Sequence, residues 1–94
     1  MGEKRINYQV IIDIFNQKYE QDFSTYKIDY LEFDIWYDFY SKVKKYNLVN
    51  LESLQEMANT LYNSYIIFSN YEEETKYNEQ ISFLKKDLEM GKRI

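Results

Sequence analysis

Cysteine and histidine are both absent from this 94-residue chain, and their absence removes most of the familiar catalytic and metal-binding chemistries. Without cysteine there are no disulfides, zinc ribbons or thiol nucleophiles. Without histidine the commonest general base and transition-metal ligand is missing. The chain also lacks a calcium loop, a glycine-rich phosphate loop and a nucleophile elbow. We therefore expect no catalytic residue, no metal and no cofactor, and a protein that is not an enzyme.

Proline is absent too, and glycine occurs only at Gly2 and Gly91. Because these residue types make tight hairpin turns easy, an all-β fold is disfavoured. No run of sequence approaches the roughly 20 apolar residues of a membrane span, and the first residues are too polar for a secretory signal. We expect one soluble, cytoplasmic domain over residues 1–94. Heavy use of Tyr, Asn, Ile and Lys is typical of AT-rich coding and favours a bacterial or phage source.

Residues 7–19 form the first of four amphipathic segments. Its apolar side chains fall at helical spacing, at Tyr8, Ile11, Ile12, Phe15 and Tyr19. The same stretch is rich in β-branched residues, and its apolar positions also alternate as in a strand. We predict a helix here and leave a strand open as the alternative.

The other three segments begin with residues that commonly cap helices. These signals predict helices over residues 25–46, capped by Ser24 or Thr25; over 51–68, capped by Asn50; and from the overlapping capping boxes Ser69-x-x-Glu72 and Asn70-x-x-Glu73 to Met90. Gly91 is a natural C-terminal cap for the last one. Short joints favour antiparallel neighbours. The predicted fold is all-α, a compact antiparallel bundle of three to four helices.

The second helix carries two apolar stripes, although a helix packed on one side needs only one. The first stripe is Ile28, Leu31, Ile35, Phe39, Val43 and Tyr46, with Trp36 at its edge, and it alone would be enough for a helix packed on one side. The sequence does not show which side of the helix faces its own core. The second stripe is Tyr30, Phe33, Tyr37 and Tyr40. It is either covered by another part of the chain or is a contact surface. Tyrosine is enriched at interfaces, so we predict these four residues as the partner-binding site.

Twelve basic residues stand against sixteen acids, for a net charge of −4. The bases cluster near the ends of the second and fourth helices, at Lys42, Lys44, Lys45, Lys85, Lys86, Lys92 and Arg93. If those two helices are antiparallel, the clusters lie at opposite ends of the bundle and form no continuous track, which argues against nucleic-acid binding. The acids at the helix starts permit a nucleic-acid mimic, although acidity at helix N-termini is ordinary.

The leading hypothesis is a small non-catalytic regulator or inhibitor that docks its aromatic and acidic helix face on another protein or on a second copy of itself. A phage- or plasmid-type anti-defence or immunity factor fits that description. The alternatives are a helix-turn-helix-like DNA-binding transcriptional regulator and a structural homodimer. An enzyme, ranked after the DNA-binding regulator, would need a pocket in which a carboxylate titrates above its normal range.

Overall fold

The computed structural model describes residues 6–19 and 27–91, which form four helices and two short strands. In chain order these are α1 (Tyr8–Tyr19), β1 (Lys27–Asp29), α2 (Tyr30–Lys45), α3 (Leu51–Tyr62), β2 (Tyr65–Ile67) and α4 (Tyr71–Gly91). The predicted all-α bundle is confirmed, with a small two-stranded sheet added, and the first segment is a helix rather than a strand. Within the described ranges, no helix has the length and apolarity needed to cross a membrane.

The second helix begins later than predicted because the residues before it are extended. Lys27–Asp29 pair in parallel with Tyr65–Ile67, and Ile28 and Ile66 turn inward from the two strands into the core. Asp29 then caps α2, since its carboxylate accepts a hydrogen bond of 2.9 Å from the backbone N–H of Glu32. The predicted caps Ser24 and Thr25 lie outside the described residues.

The third helix ends at Tyr62, so the prediction that it continues to residue 68 is wrong. The Ser64 hydroxyl donates to the carbonyl of Leu61 at 2.7 Å, where the helix stops. The next residues, Tyr65 to Ile67, are of the aromatic and β-branched types that favour strands, and β1 is available to pair with them. The predicted Asn50 cap is present, accepting from the Ser53 N–H at 2.8 Å. As expected of a central helix, α3 contacts all three other helices.

The turn after α2 is a Schellman motif built on Asn47. The Leu48 N–H donates to the Val43 carbonyl at 3.0 Å, and the Asn47 N–H donates to the Lys44 carbonyl at 3.3 Å. Asn47 has a φ of 53°, in the left-handed region that glycine adopts most easily. This turn ends α2 at the point where the sequence pattern also breaks.

Of the two overlapping capping boxes, α4 uses the second. The Asn70 side chain accepts from the Glu73 N–H at 2.9 Å, and the Glu73 carboxylate accepts from the Ser69 N–H at 3.2 Å. Gly91 is helical, is the last residue that the structure describes, and does not take the positive φ of a glycine cap, so its predicted role is wrong. Its lack of a side chain instead admits the side chain of Gln55, which a Cβ would overlap.

The directions of the helices follow from contacts near their ends. Tyr8 at the start of α1 packs against Phe39 late in α2, so the two helices are antiparallel. The end of α4 lies beside the start of α3, which makes that pair antiparallel as well. However, α2 and α4 each leave a strand of the same parallel sheet, and they run in the same direction. The premise that these two helices are antiparallel is therefore wrong. The basic last turn of α2 and the lysines Lys85 and Lys86 in the second half of α4 lie toward the same end of the bundle.

Candidate functional site

The structure places most of the predicted partner-binding stripe in the core. Tyr30, Phe33 and Tyr40 are buried and Tyr37 is half-buried, with the stripe facing α4. Phe33 packs edge-on against Tyr77 of α4, with 4.9 Å between ring centroids. Of the two interpretations left open by the sequence, burial within the chain is the correct one. Because their rings already pack inside this molecule, little of their surface is free to contact a partner, and their role as partner anchors stays an untested prediction.

A polar network near the start of α2 explains how tyrosine is accommodated there. Asp34 accepts hydrogen bonds from Gln80 at 2.8 Å and from the Tyr30 hydroxyl at 3.2 Å, and Lys76 lies 3.3 Å from the same carboxylate. Burial and the nearby charge of Asp34 raise the pKa of Tyr30 to about 12. Burial would also raise the pKa of Asp34, but the donors Gln80 and Lys76 outweigh it and lower that pKa.

A second network lies further along the same interface. The Tyr40 hydroxyl donates to Asp87 at 2.8 Å, and Lys44 forms an ion pair with the same carboxylate. Burial, together with the hydrogen bond to Asp87, raises the pKa of Tyr40 well above its usual value. Both networks join α2 to α4 and help to set their register. The pKa of the Asp34 carboxylate is lowered, which is opposite in direction to the raised pKa that an enzyme site here would need.

Between the two networks, Tyr37 and Phe83 border a shallow groove on the α2–α4 surface. Tyr37 stacks on Phe33 with an interplanar angle of 15°, and burial raises its pKa. The groove has a volume of about 340 Å³ and is also lined by Ser41, Lys44 and Asp87. The groove is open to solvent, with charged groups at one end, and nothing in its lining singles out one ligand chemistry.

The first stripe of α2 is divided in burial along its length. Ile28 and Val43 are buried, Phe39 and Trp36 are half-buried, and Leu31, Ile35 and Tyr46 are exposed. Phe39 and Trp36 meet Tyr8 and Phe15 of α1, which covers only one flank of the stripe. The face of α2 directed away from the molecule therefore carries large aliphatic side chains in contact with solvent.

Two helices contribute to this exposed surface, which we call the outer patch: Val10 and Ile14 on α1, and Leu31 and Ile35 on α2. Their side chains are between 48% and 67% exposed. The Phe15–Trp36 ring contact, 4.7 Å between centroids, aligns the two helices so that Ile14 and Ile35 lie at the same level. Because α1 turns its opposite side to α3 and the core, the patch residues share the outward surface of the α1–α2 pair.

Charged residues border the outer patch without interrupting it. Asp38 and Lys42 follow Ile35 on α2 and form an ion pair of 3.1 Å, with both side chains about two-thirds exposed. Lys18 lies one turn after Ile14 on α1 and is exposed. An apolar centre within a charged rim is the usual anatomy of a protein–protein interface.

The acidic residues considered for nucleic-acid mimicry are largely committed to local contacts. Asp29 caps α2, Glu32 accepts from the Tyr19 hydroxyl at 2.7 Å, and Asp34 belongs to the buried network. Glu73 accepts from the backbone of Ser69 at the start of α4. These contacts give the four acids ordinary structural roles within the chain, which favours that explanation of their positions over a mimic of phosphates.

No protein-family model matches this chain, and no curated protein or solved structure matches it. The function is therefore inferred from the geometry of its surfaces.

Proposed function

We propose that this protein acts by binding another protein chain, without catalysis of its own, and that the outer patch is its docking surface. The observation that carries the proposal is the position of Leu31 and Ile35, which are 67% and 60% exposed in the first half of an otherwise well-packed helix. Scattered exposed apolar residues are normal in any protein. Four of them on the outward surface of two adjoining helices are a common feature of interaction sites.

The apolar side chains of the outer patch supply part of the free energy that binding requires. Fully burying a side chain such as Leu or Ile contributes about 1.5–3 kcal/mol, so covering the exposed two-thirds of Leu31 and Ile35 contributes roughly 1–2 kcal/mol each. Val10, Ile14 and the exposed edge of Phe39 add to that total. Association itself costs several kcal/mol, so the partner must bury apolar side chains of its own, and we expect weak binding rather than nanomolar affinity.

The experiment compares three immobilised forms of the protein as bait: wild type, Ile35→Asp and Phe83→Asp. Ile35 and Phe83 have similar exposure, and the second lies on α4 in the α2–α4 groove. We expect wild type and Phe83→Asp to retain the same bound chain, and Ile35→Asp to lose it. Calorimetry with the purified bound chain then measures the loss, which we expect to be at least tenfold, since a buried unpaired carboxylate opposes binding.

Equal affinity of wild type and Ile35→Asp for the purified chain would refute the outer patch as the docking surface. Selective loss with Phe83→Asp would move the site to the α2–α4 groove. Circular dichroism of both variants must match that of wild type, because only a folded variant reports on binding.

DNA binding is a second candidate, favoured by the parallel direction of α2 and α4. This direction brings Lys42, Lys44 and Lys45 to the same end of the bundle as Lys85 and Lys86. Two of these lysines are already ion-paired, Lys42 with Asp38 and Lys44 with Asp87, which reduces the free positive charge. A gel shift with duplex DNA at low and moderate salt tests the idea. Binding that weakens steeply with salt would support it.

A further inference from the structure

Resting on the proposed docking role of the outer patch, we infer that the chain it binds is a second copy of itself. In this dimer the two α1–α2 pairs face each other across a twofold axis that passes beside Ile35 and Ile14, and the α2 helices run antiparallel. A twofold interface uses the same surface on both copies, so the surface must be complementary to itself. The apolar pattern and the charge pattern of α2 both have this property.

The apolar pattern is symmetric about Ile35. Leu31 precedes it by one helical turn and Phe39 follows it by one turn, each about 6 Å away along the axis. Setting Ile35 against Ile35 of the second copy therefore places Leu31 opposite the second copy's Phe39, and Phe39 opposite its Leu31. Ile14 lies at the level of Ile35 on α1, as the Phe15–Trp36 contact shows, so it also meets its own equivalent near the axis. The apolar side chains thus occupy the centre of the interface.

The charge pattern is complementary only in the antiparallel arrangement. Asp29 and Glu32 stand at the start of α2, and Lys42, Lys44 and Lys45 stand in its last turns. Along the helix axis, Lys42 lies about 10 Å beyond Ile35, which marks the twofold axis. On that same side, the acidic first turn of the second copy's α2 lies about 5–9 Å from the twofold axis, so the two groups come close together. Lys42 is ion-paired with Asp38 on its own helix, but both side chains are about two-thirds exposed, so the ammonium can also reach the acidic turn of the second copy. The opposed helix dipoles add to this preference.

Two adjoining helices from each copy make a modest interface, so the dimer is expected to be weak. We expect a dissociation constant on the order of 10–100 μM, near the low end of specific interfaces. Sedimentation equilibrium from about 5 μM to 1 mM covers the transition. Ile35→Asp should raise the dissociation constant at least about 100-fold, because each dimer buries two added charges. Lys42→Glu should raise it several-fold, and more at low salt than at high salt.

The absence of cysteine from the chain permits a sharper test of the axis. A residue beside a twofold axis meets itself, so Ile35→Cys and Ile14→Cys should each form a disulfide-linked dimer under mild oxidation. Leu31→Cys is the matched control. Leu31 has a similar exposure on the same helix, but in the dimer the two copies of residue 31 lie about 12 Å apart, measured along the helix axis of α2. Phe83→Cys is a second control on a different face.

Cross-linking of Ile35→Cys and Ile14→Cys that is much faster than that of either control would support the dimer. A wild-type chain that remains monomeric to 1 mM, or a Leu31→Cys variant that cross-links as fast as Ile35→Cys, would overturn it. In the monomeric case, a different bound chain that Ile35→Asp fails to retain would still support the proposed function. Failure of the second-copy inference is thus distinguishable from failure of the docking surface.

Discussion

Phe33 and Ile35 are two residues apart on α2, yet the structure gives them opposite roles, and this contrast supports a quantitative prediction. Phe33 is fully buried at the α2–α4 contact, whereas Ile35 is 60% exposed. Removing a buried Phe ring typically costs 3–5 kcal/mol. A chain of this length has a total stability of roughly 5–14 kcal/mol. Phe33→Ala should therefore lose a large part of the free energy of unfolding, and Ile35→Ala should change it by no more than about 0.5 kcal/mol.

Urea unfolding followed by far-ultraviolet circular dichroism measures both changes. The protein is kept near 1 μM so that any self-association does not contribute to the apparent stability. The single tryptophan, Trp36, gives an independent fluorescence probe because it packs against Phe15 at the α1–α2 contact. The prediction is refuted by a loss in the free energy of unfolding above about 2 kcal/mol for Ile35→Ala, or below about 1 kcal/mol for Phe33→Ala. Either result would mean that Phe33 does not face the core or that Ile35 does not face the solvent.

Two further predictions concern stability. The pKa values of Tyr30 and Tyr40 are raised on folding, so the stability they contribute is complete below pH 10, the unfolded value, and is lost as the pH rises toward about 12. Absorbance at 295 nm should show these tyrosines ionising late and together with unfolding, and ionisation near pH 10 without unfolding would contradict their burial. Asn47→Gly should raise the free energy of unfolding by a few tenths to about 1 kcal/mol, because Asn47 holds a positive φ, while Asn47→Ala should lower it by about 1 kcal/mol. Thermal melts of the two variants that shift in the same direction would contradict that explanation.

Local signals in the sequence were enough to predict the helices. Helical spacing located α1, and side-chain caps located the starts of α3 and α4 at Asn50 and Asn70. These signals act within a few residues of chain, so they can be seen in the sequence itself. The two strands were missed because each has three residues and pairs with a segment distant in the chain. A pairing of that kind leaves no periodic signal in so short a run.

The sequence left open which face α2 buries, and the reason is chemical. Hydrophobicity alone favours burying aliphatic residues such as Leu31 and Ile35, yet both are exposed. The tyrosines are buried instead because their hydroxyls meet acceptors such as Asp34 and Asp87 at the α2–α4 interface. Burying a hydroxyl is costly only when it lacks a partner. One clue was present: Tyr30 and Asp34 are i, i+4 neighbours, a spacing that lets them bond on the same helix face.

The contacts that hold α2 in place also fix the direction in which it presents the outer patch. The inner face of the helix is held by two hydrogen-bond networks, one at Tyr30 and Asp34 and the other at Tyr40 and Asp87. Buried polar groups must keep their partners, so rotation of α2 about its axis would leave both networks unsatisfied. The outward side chains Leu31 and Ile35 are thus presented by a helix whose orientation is set before any chain binds. A preformed surface loses less conformational entropy on binding, which helps so small an apolar area to support association.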